Sequence, residues 1–254
     1  MNYEMAEKTI EERFRILDSL RTAKLDRARG CASLTLPELL PPQGYSESEQ
    51  LDPPYSSIPA RGVNALASRM MSALLPLNDL PFFRFNSAGG DPPPLEAQEF
   101  LEGLAFQLHN KLMSKNIREV VYQALQQVLV LGDTLLILED DMTFRTCSLD
   151  HYVVRRDYKG IPMEIIYIEH IAKAHSKSAF DSINSGGYSA TGLAKKGYDI
   201  VYHRLCWMEE EKHWTSVSES DGQIINEGIY KVSPVIPLRW QSITCLLYTS
   251  PSPR

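Results

Sequence analysis

Val128-Leu129-Val130-Leu131-Gly132-Asp133-Thr134-Leu135-Leu136-Ile137-Leu138-Glu139 spans the point where the apolar period of the chain changes. Before Gly132, Val120, Val121, Ala124, Leu125 and Val128 recur at helical spacing; after it, Thr134–Glu139 is an apolar run of strand length. Glycine at the junction ends a helix, because it takes the left-handed backbone angle without a clashing Cβ. Asn116, with Glu119 three residues later, reads as a capping box that opens this helix.

Upstream, the pattern stays helical. Ile10, Phe14, Leu17 and Leu20 form one stripe, with Glu11 and Arg15 paired at i,i+4 on another face. The segment Leu36 to Pro59 holds Pro37, Pro41, Pro42, Pro53, Pro54 and Pro59, which excludes a long helix and predicts an extended arm. A helix is predicted from near Ser57 to before Pro76, burying Val63, Leu66, Ala67, Met70, Met71 and Leu74. Asn86 to Pro94 reads as a loop, and the next helix carries Leu101, Leu104, Ala105, Leu108 and Leu112 on one side.

Downstream, strand signals take over. His151–Arg156 is a strand candidate, and Asp157-Tyr158-Lys159-Gly160 a hairpin turn into Met163–Ile168. Ser185–Gly197 is a Gly/Ser-rich loop, followed by a meander of Tyr198–Met208, Trp214–Ser218 and Ile224–Tyr230. The fold class is therefore α+β: helices over 1–133, then an antiparallel or mixed sheet over 134–244. No internal repeat is visible.

The chain has 254 residues and 26 Lys+Arg against 32 Asp+Glu, a net charge of −6. Seven acids and two bases between Tyr198 and Tyr230 give that window −5, leaving the rest nearly neutral. The basic doublets are Arg155-Arg156 and Lys195-Lys196, with no basic stripe, which speaks against a protein that grips nucleic acid tightly. No apolar run approaches the roughly 18–20 residues of a membrane span, and the polar Met1–Glu12 is unlike a signal peptide. Cys31, Cys147, Cys206 and Cys245 lie far apart, so neither a disulfide scaffold nor a zinc ribbon is expected; a reducing cytoplasm is the simplest compartment.

Candidate chemistry is sparse. Gly187 and Gly192 have GxxxxG spacing, but Leu193-Ala194 follows where a phosphate loop needs Lys and Ser/Thr, and Lys195 comes too late. His109, His151, His170, His175, His203 and His213 form no HExxH and no tight cluster with cysteine. Glu139-Asp140-Asp141 is the one run of acids suited to a divalent metal, against the commoner role of a solvated turn. No serine stands in GxSxG, and Met70-Met71 reads as core filling. No catalytic, cofactor-binding or metal-ligating residue is assigned.

The run Arg61-Gly62-Val63-Asn64-Ala65-Leu66-Ala67-Ser68-Arg69-Met70-Met71-Ser72-Ala73-Leu74-Leu75-Pro76 resembles a signature of the head-to-tail connector (portal) proteins of short-tailed bacteriophages. Arg61, Gly62, Asn64, Leu66, Ala67, Ser68, Met71 and Pro76 carry that likeness, followed by the apolar Leu80–Phe85. Arg27–Ala32 and Leu36–Pro41 resemble the family's first helix and proline-bearing arm, Val130–Leu136 its helix-to-strand passage, and Tyr152–Asp157 with Gly160 its first hairpin. The resemblance covers about residues 10–240 in family order. It implies a non-enzymatic ring, dodecameric in the family, at one vertex of the phage capsid. Double-stranded DNA is pumped through that ring by a separate terminase and leaves through it into the tail. The implied partners are other copies of the chain, the terminase, tail or adaptor proteins and capsid proteins, with no membrane and no cofactor. The implied location is the virion, after assembly in the cytoplasm of a host bacterium. Family members are longer, continuing into a stem, clip and crown, so this chain corresponds mainly to the peripheral wing, with DNA-contacting residues expected elsewhere. Within it, the arm with Pro37, Pro41, Pro53 and Pro54 either leans on a neighbouring subunit or wraps its own.

Residues 245–254, Cys-Leu-Leu-Tyr-Thr-Ser-Pro-Ser-Pro-Arg, resemble the translation of a sequencing adaptor and are read as foreign to the fold after Thr244. Two other readings stay open: a head-completion or adaptor protein that binds a portal, and a metal-dependent phage nuclease using Glu139, Asp140 and Asp141.

Overall fold

Gly132 takes φ +84° and its N–H bonds the carbonyl of Val128 at 3.1 Å, closing the helix where the sequence expects it. In the computed structural model, which describes residues 9–45, 50–76, 80–85, 94–172 and 198–240, five helices precede two antiparallel sheets, so the class is α+β. The helices are α1 (Ile10–Ser19), α2 (Thr22–Leu34), α3 (Ile58–Leu74), α4 (Leu95–Met113) and α5 (Ile117–Leu131). The strands are β1 (Asp133–Leu138), β2 (Phe144–Cys147), β3 (Tyr152–Arg156), β4 (Pro162–Ala172), β5 (Tyr198–Met208), β6 (His213–Ser220), β7 (Gln223–Tyr230) and β8 (Val235–Arg239). The chain divides into two units interleaved in sequence: 27–148 with 234–241, and 1–26 with 149–233 and 242–254. No described helix is long and apolar enough to cross a membrane.

In the first unit α5 is buried on two sides. Ile117 and Leu125 pack with Ala67, Met71 and Leu75 of the α3 segment, while Val120 and Ala124 pack on Leu136 of β1. β1 is the central strand of a sheet ordered β2-β1-β8, with Leu135 opposite both Cys147 and Pro237. Gln127 of α5 accepts a hydrogen bond from the Thr134 hydroxyl, which satisfies two polar groups inside the core.

Three expectations change here. Asn116 makes no side-chain cap to α5; its amide donates to the Phe144 carbonyl at 2.8 Å and accepts from the Phe144 N–H at 3.1 Å, so it fastens β2 to the start of the helix. The Asn-x-x-Glu spacing was right for a box, but a β-strand edge offered both a donor and an acceptor. Leu66 and Leu74 are 46% and 54% exposed, because the seam against α5 is formed by Asn64, Ala67, Met70, Met71 and Leu75. Leu104, expected on the inner side of α4, is likewise exposed, and Ala105 and His109 are buried instead.

The second unit sets α1 across a five-stranded meander, β3-β4-β5-β6-β7. Ile10, Phe14 and Leu17 pack on Val153 of β3, Ile166 of β4 and Tyr202 of β5, with Phe14 edge-on to Tyr202 at 6.0 Å. Asp157 makes the β3–β4 turn, its Oδ1 accepting from the N–H groups of Lys159 (2.9 Å) and Ile161 (2.7 Å), with Gly160 at φ +86°. Ser185–Gly197, the GxxxxG spacing and Lys195 lie outside the described residues, as do most of Asn86–Pro94 and all of 245–254.

Replacing Gly132 with alanine meets no neighbouring atom, so its cost comes from the left-handed angle alone. Thermal unfolding of Gly132→Ala is expected to report a loss of about 1 kcal/mol; an unchanged melting temperature would show that the helix end can unwind without penalty.

Candidate functional site

Two constellations gather the residues that carry charge or hydrogen-bonding power, one in each unit. The first is the signature helix α3. Within it, Ala67 is completely buried and Met71 nearly so, and Asn64 accepts a hydrogen bond from the Gln126 amide of α5 at 2.8 Å. Arg118 donates to the Leu75 carbonyl, covering one of the acceptors that every helix end leaves open. Small Ala67 at the closest approach and a polar bridge beside it account for Asn64, Ala67 and Met71 as packing residues. Pro76 is half-buried just past the helix end. Arg61, Gly62, Leu66 and Ser68 instead face solvent, and a Cβ on Gly62 would meet nothing within 4 Å. Packing among the described residues therefore gives no reason for those four.

The second constellation lies on the sheet side that α1 covers. Glu164 of β4 is 1% exposed and receives three arginines from three elements. Arg13 of α1 donates at 2.9 and 3.4 Å, Arg155 of β3 at 2.9 Å, and Arg204 of β5 at 2.8 and 2.7 Å. Burial alone would raise this carboxyl. The hydrogen bond from Arg13, the charge of Arg204, the hydrogen bond from Arg155 and the charge of Arg13 reverse that, holding it at about 2 instead of 4.5. A second buried carboxylate, Glu219 of β6, accepts from the Ile10 N–H at 3.0 Å, at the positive end of α1. Both acids thus dock α1 onto the sheet. Sequence reading did not single out Glu164; the available signal was an acid inside Met163–Ile168, a strand otherwise apolar on both faces.

On the other side of this sheet, His203 stacks on Tyr167 at 4.7 Å and meets Ser218 Oγ at 2.9 Å through Nδ1 and Glu169 at 3.5 Å through Nε2. The order acid–imidazole–hydroxyl is that of a nucleophilic relay, but Ser218 is buried in the middle of a paired strand, where no substrate carbonyl can reach it. Next to Glu164, burial pushes the Cys206 thiol up, so it stays protonated and a poor nucleophile.

Glu139, Asp140 and Asp141 fall in the tight β1–β2 turn. Glu139 is paired with Arg145. Asp141 accepts from the Thr143 hydroxyl and from its N–H (2.9 Å), contacts that lower its pKa, with Lys115 3.5 Å away. Among the described residues no group of three His, Cys, Asp or Glu is placed to hold a metal. In the arm, Pro37 opens a short 3-10 turn between the buried Leu36 and Leu40; Pro41 and Pro54 are half-buried and Pro53 is exposed.

Helices packed on a small three-stranded sheet, and a meander to which α1 is fastened by buried ion pairs, define an α+β protein. The family described as "Bacteriophage head to tail connecting protein" matches residues 7–252, and the chain belongs to it. Among curated relatives, it is 31% identical over 162 residues to the "Portal protein" of Enterobacteria phage T3, covering 60% of this chain and 30% of that protein. It is 27% identical over 229 residues to the "Portal protein" of Escherichia phage T7, covering 84% of this chain and 42% of that one. A third, the "Portal protein" of Enterobacteria phage SP6, is 25% identical over 157 residues. The chain thus spans less than half the length of the curated relatives it matches.

Because the folded-state pKa of Glu164 is depressed, its contribution to stability is complete above about pH 4.5 and is lost as pH falls from there toward 2. Glu164→Gln is expected to lose about 2 kcal/mol at neutral pH, a figure discounted for guanidiniums partly open to water. It should also flatten the acid limb of a stability–pH curve measured by urea unfolding. An acid limb identical to the parent's would mean that another carboxylate controls it.

Proposed function

We propose that this chain is the wing-forming part of a portal subunit. The full protein forms a ring at one capsid vertex, through which a terminase packages double-stranded DNA and from which DNA passes into the tail. The observation that carries this reading is the family match over residues 7–252, joined by relatives that are themselves called portal proteins. The physical chemistry agrees. A conduit must let a polyanion slide, and every lasting phosphate contact acts as a brake. Arg13, Arg155 and Arg204 of the second unit are turned onto Glu164, and the sheet's outer strands lie in a window of charge −5. The role is non-enzymatic, and the three acids of the β1–β2 turn act in that turn.

The proline arm belongs to the same proposal. Leu36 and Leu40 anchor its beginning in its own chain, whereas Asp52, Pro53 and Tyr55 are exposed, so this later part is the portion that reaches a neighbour. Residues 245–254 are proposed to be foreign to the protein.

The source DNA is first resequenced across codons 235–260, and the complete reading frame is expressed and imaged by negative stain. Closed rings are the expected result. A genuine stop near codon 254 together with a protein that never forms rings would overturn the reading in favour of a portal-binding adaptor. Removing residues 50–55 from the full frame is expected to leave monomers; intact rings would assign the arm to its own subunit. Alanine at Glu139, Asp140 and Asp141 should leave DNA in the presence of magnesium as intact as the parent protein does; nuclease activity lost with those acids would point to an enzyme.

A further inference from the structure

Among the described residues, two exposed surfaces, one in each unit, are opposite in charge. The first is the outer side of α3. Opposite the seam of Asn64, Ala67 and Met71, this helix presents Ile58, Arg61, Gly62, Ala65, Leu66 and Arg69, all exposed, with Ile58 at 69%. Across Ile58–Leu74 there are two arginines and no acid. Gly62 and Ala65 leave the middle of the face low, so that another backbone can come close.

The second surface is the far part of the meander. Five strands at about 4.8 Å spacing span roughly 19–24 Å, and one helix is about 10 Å across. α1 lies over β3, β4 and β5 and reaches β6, where Val217 packs against its core and Glu219 accepts from its first amide. In register, Val217 faces Glu227 and Thr215 faces Ile229, which places Glu227 and Ile229 on the α1 side of β7; Ile224 stands opposite Glu219 on that side too. Ile224 and Ile229 are 62% and 72% exposed, and Glu227 and Asp221 are exposed beside them. Among the described residues, the α1 side of β7 is thus exposed beyond α1, apolar along the strand and acidic at its margin. Isolated exposed isoleucines are ordinary, but two on one exposed strand face are a docking surface.

We infer that the outer face of α3 in one copy docks on the exposed α1-side face of β7 in the next copy, beside that copy's α1. Arg61 and Arg69 meet Glu227 and Asp221, while Ile58 and Leu66 meet Ile224 and Ile229. Charge complementarity selects a second copy as the occupant: the chain carries both halves of the match on surfaces exposed among the described residues. Because the two patches differ, the contact is head-to-tail, and repetition of it generates a closed ring or an open chain. The contact also gives Arg61, Gly62 and Leu66, unexplained by the packing of α3, a common role. This inference rests on the portal reading, which supplies the ring.

The test uses the complete reading frame. One variant carries Arg61→Glu with Arg69→Glu, and a second carries Asp221→Lys with Glu227→Lys. All four positions are exposed, so each variant folds, which circular dichroism checks. Sedimentation velocity is expected to show loss of assembly in each variant alone. Mixing the two should restore it, since each copy then finds a complementary neighbour on both sides. Rising salt should weaken the parent assembly. Assembly of either variant as complete as the parent's overturns the contact while leaving the ring reading intact, and so does failure of the mixture to reassemble. A parent protein that stays monomeric overturns both. If the arginine variant assembles normally but loses retention of double-stranded DNA, α3 is a DNA-facing helix instead, and the inference fails.

Discussion

Gly132 holds a backbone angle that residues with a side chain adopt only at a cost, and the two elements it joins are each the centre of what they belong to. The helix before it is the one with two buried sides, toward α3 and toward β1. The strand after it is the middle of its sheet, pairing with β2 and with β8 from a hundred residues further on. Were the helix to run one turn longer, Thr134 and Leu135 would leave the sheet, the Thr134–Gln127 hydrogen bond would be lost, and β8 would have no partner. The Trp240 N–H, bonded to the Gly132 carbonyl at 2.8 Å, fastens the end of β8 to this same residue.

In the other unit the corresponding anchor is electrostatic. A single buried carboxylate facing three arginines is an expensive way to hold a helix, because apolar residues of similar volume often serve stability as well or better. What the ion cluster adds is direction. Glu164 accepts from a helix and from the strand on each side of its own, and Glu219 accepts from the first amide of the same helix. Sliding α1 along the sheet by one turn would strand a buried charge at both places at once.

The family relationship and the physical picture meet in the outer surfaces. Acids that sequence alone left open to metal binding are held in a hairpin turn, and the hydroxyl of the Glu169–His203–Ser218 chain is buried within paired strands. Among the described residues, α3 and β7 expose apolar and charged side chains.

The sequence by itself determined the period change at Gly132, the helices α1, α3, α4 and α5, the Asp157–Gly160 hairpin, the β5–β6–β7 meander and, through the Arg61–Pro76 run, the family. Each of these rests on local spacing or on a turn whose stereochemistry admits few residues. Tertiary structure alone decided β8, since Val235-Ile236-Pro237-Leu238-Arg239 contains a proline and becomes a strand only at the edge of β1. It also decided β2, which Asn116 holds; α2, whose buried Leu25, Ala28 and Ala32 are too few and small to announce a stripe, was legible only through the resemblance at Arg27–Ala32. Which leucines of α3 are inside was settled by the width of a partner helix, a quantity no single helix encodes. Glu164 reads as one acid among 32 acidic residues until three arginines, up to 151 residues distant in sequence, are brought to it.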